Sequence, residues 1–474
     1  MKALKIGFVS LGCPKNLVDT EVMLGLLRER GHELTPRAEE ADVIVVNTCS
    51  FIGPAKEESV EAILEMAEHK KAGRAKRLIV AGCMVERYRD EIRESLPEVD
   101  AVIGTNEIEQ IAAACEGRPV SGPPPEPFLY HEASPRVLTT PPHYAYIKIA
   151  EGCDHPCSFC VIPQFRGRFR SRPLESILAE ASGLLARGVR EINLVGQDTT
   201  SYGEDLGMRD GLATLLERLA ALPSPGRKWI RFLYAYPNRV TQRLLDTIAA
   251  HEEIAGYIDL PLQHASPRVL KRMKRGGGAG QFLRLLERIR KTIPGVAIRT
   301  SMIVGFPGET DRDFEELCRF VEQARFDHLG VFSYSDEETS ESYHLDGKVS
   351  RRTIYNRRRR LMAIQRRISR RRNRALVGKE FVVLVEGPSA ETELLWQARL
   401  PGQAPEIDGV CYITGDGGHG LEPGQWRRFR VERSSDYDLI GPVVGPPLDA
   451  GTAAGARLLP VLPAGAENRA TRSL

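Results

Sequence analysis

The 474-residue chain reads as an α/β protein in three parts, and three observations point that way. Over residues 1–118, continuous β-branched runs alternate with helical segments, the pattern of a parallel sheet covered on both faces. Over 143–350, six more strand-like runs recur at intervals of tens of residues with helix-like segments between most of them, which predicts a (β/α) barrel of six units, a partial form of the eight-unit barrel. Over 378–441, short strand-like runs broken by turn residues predict a small β-barrel.

In the first part, "LKIGFVSLGC" precedes a helix expected from about Asp19, "ADVIVVNTCS" one from about Pro54, and "RLIVAGCM" one from about Glu86. The short strand "AVIGT" leads into "NEIEQIAAAC". Residues 119–142, with "SGPPPEP" and "TTPP", form a Pro-rich linker. The barrel strands are "YAYIKIA", "EINLVGQ", "KWIRFLYA", "YIDLPLQ", "AIRTSMIVG" and "HLGVFSYS", and their C-terminal ends are where functional groups are expected.

Residues 351–377 carry twelve arginines and no acid, so the rest of the chain sums to −9 beneath an overall +3. Ile354, Leu361, Ile364 and Ile368 keep roughly helical spacing, giving a basic amphipathic helix. Such a helix is either a solvated brace between domains or a contact for nucleic acid or a ribonucleoprotein. In the last part, "EFVVLVEG", "LWQARL", "VCYITGD" and "QWRRFRVE" supply the strands, and six Lys plus Arg against eleven Asp plus Glu leave a balance of −5. Residues 442–474, rich in Ala, Gly and Pro, are expected to be a disordered tail. No apolar run approaches the roughly 18 residues of a membrane span, and the start of the chain reads as a strand rather than a signal peptide, so a cytoplasmic protein is expected.

Three of the nine cysteines fall in "EGCDHPCSFC" (residues 151–160), just after the first barrel strand. A structural zinc site takes four protein ligands and disulfides take cysteines in pairs, so Cys153, Cys157 and Cys160 leave a metal position open. Thiolates are the usual ligands of iron–sulfur clusters, and a cubane held by three keeps one iron free. Zinc, with His155 as a fourth ligand, is the alternative, although His155 is close in the loop to reach round the same ion. Phe159 either shields the metal group or packs in the core. Cys13, Cys49 and Cys83, in "SLGC", "VNTC" and "VAGC", each end a strand of the first part and lie 36 and 34 residues apart. Parallel strands bring those ends to one edge of a sheet, where open α/β sheets bind ligands, so a second three-thiolate cluster is expected there. Cys115, Cys318 and Cys411 have no partners at ligand spacing and are assigned to packing.

CxxxCxxC on the first strand of a six-unit barrel resembles the radical S-adenosylmethionine enzymes. In that family the free iron is chelated by the cofactor's amino and carboxylate groups, and an electron cleaves the sulfonium to a hydrogen-abstracting 5′-deoxyadenosyl radical. The resemblance implies that Gly196, Gln197 and Asp198 of "VGQD" lie on the cofactor's amino side and that Gly305 and Gly308 of "MIVGFPGET" lie on its adenine side. A glycine after a strand is otherwise only a turn.

Two such trios, flanked by an α/β domain and a terminal β-barrel, resemble the methylthiotransferases over about residues 1–441. The resemblance implies two 4Fe-4S clusters with S-adenosyl-L-methionine, an auxiliary cluster in the first domain that carries the sulfur, and an OB-like TRAM domain that docks the substrate. Of the family's two branches, one modifies a transfer-RNA adenosine and the other an aspartate β-carbon of small-subunit ribosomal protein twelve. "SLGCPKNLVDTE" matches the protein branch, whereas the transfer-RNA branch has a YGCQMN-like stretch; "CVIPQFRGRFRSRP" also follows the protein branch. The acidic terminal barrel suits a basic ribosomal protein better than RNA. The implied partners are that protein within its ribosomal subunit, a reductant protein and, through the Arg-rich helix, ribosomal RNA. The C–H bond concerned is too weakly acidic for a side-chain base, so no catalytic His, Glu or Ser is nominated. A reading from another class is a non-catalytic, zinc-dependent ribosome-binding protein.

Overall fold

The structure is a computed structural model that describes residues 3–122, 128–389, 392, 395–415, 420–449 and 462. Its first domain has five parallel strands, β1 (Lys5–Ser10), β2 (Glu33–Thr35), β3 (Val43–Thr48), β4 (Arg77–Gly82) and β5 (Ala101–Ile103), in the order β2-β1-β3-β4-β5. Helices α1 (Pro14–Glu29), α2 (Gly53–Ala72), α3 (Cys83–Ser95) and α4 (Ile111–Cys115) cover it. Alternate residues of each strand serve opposite faces: Phe8, Val45 and Ile79 pack toward α1 and α4, while Val9, Val46 and Val80 pack toward α2 and α3. The helices α1 and α3 begin earlier than the pattern suggested, at Pro14 and Cys83. Proline is well tolerated in the first helical turn, so α1 starts directly after Cys13.

The barrel strands are β6 (Tyr144–Lys148), β9 (Glu191–Val195), β10 (Trp229–Phe232), β11 (Tyr257–Asp259), β12 (Ala297–Val304) and β13 (His328–Ser333), with a small hairpin of β7 (Ala150–Glu151) and β8 (Arg170–Ser171) beside the cysteine loop. Two parallel three-stranded sheets, β6-β9-β10 and β11-β12-β13, meet through a parallel bridge between Ile230 and Ile254. Helix α5 (Ile162–Arg166) follows the cysteine loop, and α6 (Leu174–Ala186), α7 (Gly211–Ala220), α8 (Gln242–Ala250), α9 (Pro267–Arg272), α10 (Ala279–Thr292) and α11 (Asp311–Ala324) lie between the later strands. The Arg-rich helix α12 runs Arg351–Arg374.

The last domain comprises β14 (Glu380–Pro388), β15 (Trp396–Arg399), β16 (Cys411–Thr414), β17 (Trp426–Arg430), β18 (Arg433–Ser434) and β19 (Leu439–Val444). Pairings 14–15, 15–16, 16–19, 19–17 and 17–14 close a five-stranded ring. This barrel extends past residue 441, because β19 runs to Val444. The disordered-tail expectation is corrected further on: the Leu448 amide donates to the Trp426 carbonyl, and Leu462 is buried against β1 with its amide on the Phe8 carbonyl. Residues 450–461 and 463–474 lie outside the described residues.

One apolar core joins the parts. Phe8 and Val18 of the first domain, Tyr130 and Val137 of the linker, Tyr146 and Tyr257 of the barrel and Ala404 of the last domain belong to a single buried cluster. The last domain docks on the starts of all six barrel strands: Glu406 on Tyr144, Arg399 on Glu191, Trp426 on Trp229, Asp408 on Tyr257 and Arg299, and the Gly402 carbonyl on His328. Helix α12 braces this arrangement, with Arg360 on Glu315, Arg367 on Glu322, Arg372 on Asp327, and Arg366 and Arg370 on Asp436.

Candidate active site

Cys13, Cys49 and Cys83 follow β1, β3 and β4, and the first two flank the point where the strand order reverses, the usual ligand position of a doubly wound sheet. Glycines bring the loops together. Gly12 (φ 88°) and Gly82 (φ 94°) are left-handed, and each is pressed on the end of β3: a Cβ on Gly12 would stand 2.7 Å from Cys49 Cβ, and one on Gly82 would stand 2.3 Å from Asn47 Oδ1. Cys13 and Cys83 each open a helix, so two helix N-termini favour negative charge at these sulfurs. Burial pushes the Cys49 thiol up to about 12, with Cys83 and Cys13 adding to the shift. Burial likewise raises Cys83, while Arg166, whose Nη2 is 3.3 Å from Cys83 Sγ, opposes it.

The second trio lies in the loop between β7 and α5. Burial raises Cys153 to about 11 and Cys160 to about 12, the neighbouring thiols contributing. Arg275 reaches Cys157 Sγ at 3.5 Å and lies over the Tyr236 ring. In both trios the donor set is three interacting thiols with one guanidinium beside them, which fits a thiolate-bound anionic cluster. Among the described residues no three His, Cys, Asp or Glu side chains are arranged to hold a single metal ion. His155, the candidate fourth zinc ligand, is engaged elsewhere: its Nε2 is 2.6 Å from Asp198 Oδ2 and its ring stacks on Tyr236 at 3.8 Å.

The trios share a wall. Cys83 packs against Val161, which directly follows Cys160, and against Phe165 of α5. Beneath it lies a buried ionic cluster joining first domain to barrel: Arg166 donates to Asp19 (2.6 Å), Glu151 (3.3 Å) and Asn16 (3.3 Å), and Lys148 donates to Asp19 (2.5 Å) and Glu151 (2.6 Å). Burial works against ionisation of Glu151, yet Lys148 and Arg166 hold its carboxyl down at about 2. From the loop after the barrel's third strand, Tyr234 faces the Cys13 side and Tyr236 the Cys157 side.

The residues assigned to the cofactor fall at the same mouth but divide in character. Gln197 donates to Glu151 Oε1 at 2.6 Å and leaves its own buried Oε1 without a partner, as a ligand-facing amide would. Gly196 has room for a Cβ and normal φ, so only an approaching ligand would demand glycine there. Asp198 is saturated by Thr200, Ser201 and His155, which makes it a holder of the cysteine loop. Gly305 (φ 81°) and Gly308 (φ 83°) sit in the turn after β12, where Gly305 is covered by Ile354 of α12. Phe159 meets Phe306 edge-on at 6.5 Å, tying the cysteine loop to that turn. Cys115, Cys318 and Cys411 are buried in the cores. No sequence motif marks Lys15, Asp19, Glu151, Arg166, Tyr234 or Arg275, whereas the charged Lys148 inside the apolar run "YAYIKIA" is a visible signal.

Residues 5–104 match the uncharacterized protein family UPF0004, 147–321 the radical SAM superfamily and 377–444 the TRAM domain. These matches and the site define the class, a radical SAM transferase carrying an N-terminal UPF0004 domain and a C-terminal TRAM domain. A solved structure of the radical S-adenosylmethionine methyltransferase TsrM from Kitasatospora setae shares the fold at TM-score 0.51 and 15% identity, over 70% of this chain and 72% of that one. Among curated relatives, the ribosomal protein uS12 methylthiotransferase RimO of Solibacter usitatus is 65% identical over 98% of this chain and 97% of its own length. That of Koribacter versatilis is 54% identical over 93% and 96%. The chain belongs to the RimO family of radical SAM methylthiotransferases.

Proposed function

We propose that the chain attaches a methylthio group to the β-carbon of an aspartate in ribosomal protein uS12, using S-adenosyl-L-methionine and two 4Fe-4S clusters, one held by Cys13, Cys49 and Cys83 and the other by Cys153, Cys157 and Cys160. The contact of Cys83 with Val161 and Phe165 carries this reading, because sulfur can pass between two sites only if they open on a common space. With the cofactors bound, one-electron reduction supplies the hydrogen abstraction that no side chain can perform, and the auxiliary site supplies the sulfur. The protein's own work is positional. Asp198 fixes the cysteine loop through His155, Gln197 offers a free amide oxygen to a ligand, and the Asp19–Lys148–Glu151–Arg166 cluster holds the two sites in register.

A reductant protein delivers the electron, and the ribosomal target places the reaction in the cytoplasm. The acidic balance of the TRAM domain supports attraction of a basic protein less strongly than its count suggests, since Glu386, Glu406, Asp408 and Asp436 are engaged within the chain. Arg351, Arg352, Arg359 and Arg371 of α12 remain exposed for ribosomal RNA beside the target.

Anaerobic reconstitution followed by mass spectrometry tests the reading. About eight irons per chain and a methylthio mass on the uS12 aspartate are expected. About four irons would remove the second cluster, and a methylthio mass on a transfer-RNA adenosine instead would assign the chain to the other branch.

A further inference from the structure

Between the two trios stands a buried cation, Lys15, with the Tyr234 ring and the Cys13 sulfur as the negative groups beside it. Lys15 is 8% exposed, and among the described residues no carboxylate pairs with it. The neighbouring cations differ in this respect, because Lys148 and Arg166 are both answered by Asp19 and Glu151. The Lys15 ammonium instead lies 3.5 Å from the centroid of the Tyr234 ring. Tyr234 is held in a left-handed conformation (φ 63°), its amide on Asp259 Oδ2 at 3.0 Å and its carbonyl taken by the Thr199 amide at 3.2 Å. A bulky residue kept in this region is strained, and such strain collects at ligand sites. An ammonium has three donors, and with no carboxylate among its partners this one can receive a carboxylate.

We propose that Lys15, seated on Tyr234, binds the carboxylate of the acceptor aspartate and so selects the acceptor. This rests on the function proposed above. In an aspartate the carboxylate carbon is bonded directly to the β-carbon, so a group that grips the carboxylate also fixes the reacting carbon. Lys15 is suitably placed, two residues from Cys13 on one side and against the barrel mouth on the other.

The test measures binding of purified uS12, with its acceptor aspartate intact or changed to Asn, to the cluster-loaded protein. The wild type binds the aspartate form about 30-fold tighter, Lys15→Met binds both forms alike, and Lys15→Arg keeps the preference. Equal binding of both forms by the wild type, or an undiminished preference in Lys15→Met, overturns the proposal. Two further arms identify other sources of the anion. If Lys15→Met keeps the preference but loses affinity for S-adenosyl-L-methionine, the cation serves the cofactor's carboxylate. If it loses iron from the Cys13 site, the cation serves the cluster. Either result also overturns the proposal. Failure of the functional reading shows separately, as a wild type that leaves uS12 without the methylthio mass.

Discussion

Replacing Arg166 by Met should loosen the seam between the first domain and the barrel while leaving all six cysteines in the sequence. The side chain is 2% exposed and spans both domains, donating to Asp19, Glu151, Asn16 and Cys83. Its removal leaves Lys148 as the sole cation against two carboxylates that are each 4% exposed. An uncompensated buried charge of this kind costs about 3–5 kcal/mol, and because Lys148 still contacts both acids the lower end, about 3 kcal/mol, applies. Opening of the seam then becomes about 100-fold more frequent. Hydrogen–deuterium exchange on the apoprotein reads this as faster exchange in residues 14–29 and 162–166, with α10 as an unaffected reference. Adding Glu151→Gln removes the unmatched acid and should recover much of the protection. Unchanged exchange in the single variant, or no recovery in the double, would refute an ionic seam.

Gly12→Ala forces a Cβ to within 2.7 Å of Cys49 Cβ from a left-handed backbone, so reconstituted iron should fall from about eight to about four per chain while the barrel site's spectrum persists. Asp198→Ala leaves Thr200, Ser201 and His155 without an acceptor, costs about 2 kcal/mol or more, and should speed exchange across residues 153–160. Burial raises the Glu386 carboxyl, but Arg399 and His143 outweigh it and hold it at about 2 against 4.5 unfolded. A depressed carboxyl stabilises above its unfolded value, so up to about 3 kcal/mol of stability, of which the His143 contact is the part that docks the TRAM domain, is present at neutral pH and is lost as pH falls from about 4.5 to about 2. Fluorescence of the Trp229–Trp426 contact should follow that loss, and Glu386→Gln should remove this part of the acid sensitivity.

The two cysteine trios are legible as candidates because one residue type recurs at fixed spacing or at successive strand ends, and parallel strands carry their ends to one edge whatever the surrounding sequence. The barrel strands and the closed terminal barrel were legible for a similar reason, since burial period and turn chemistry are local. Asp19 and Lys148 were not, because they are 129 positions apart and meet only after two domains dock. Lys15 is not legible either, because the apolar pattern places the start of α1 near Asp19; with the helix starting at Pro14, the residue turns inward over Tyr234. Asp198 shows the opposite limit. It lies in the loop just past the end of β9, but only the hydrogen bonds reveal that its carboxylate is fully occupied.

The position of the TRAM domain restricts where acceptor recognition can occur. A (β/α) barrel presents its chemistry at the C-terminal ends of its strands, and both cysteine trios lie at that end. The TRAM domain is fixed at the other end, with Arg399 locked on Glu191 (2.5 Å) and Asp408 shared by Tyr257, Arg299 and His328. A module clamped by buried ion pairs at the far mouth can hold the body of a partner but cannot touch the carbon being modified. Discrimination of the acceptor side chain therefore falls to groups at the near mouth, contributed by α1, the loop after β3 and the ends of β9 and β10. Exchanging the TRAM domain for that of the transfer-RNA branch should accordingly weaken capture of uS12 while leaving the preference for aspartate over asparagine intact. A lost preference would show that the far module reshapes the site.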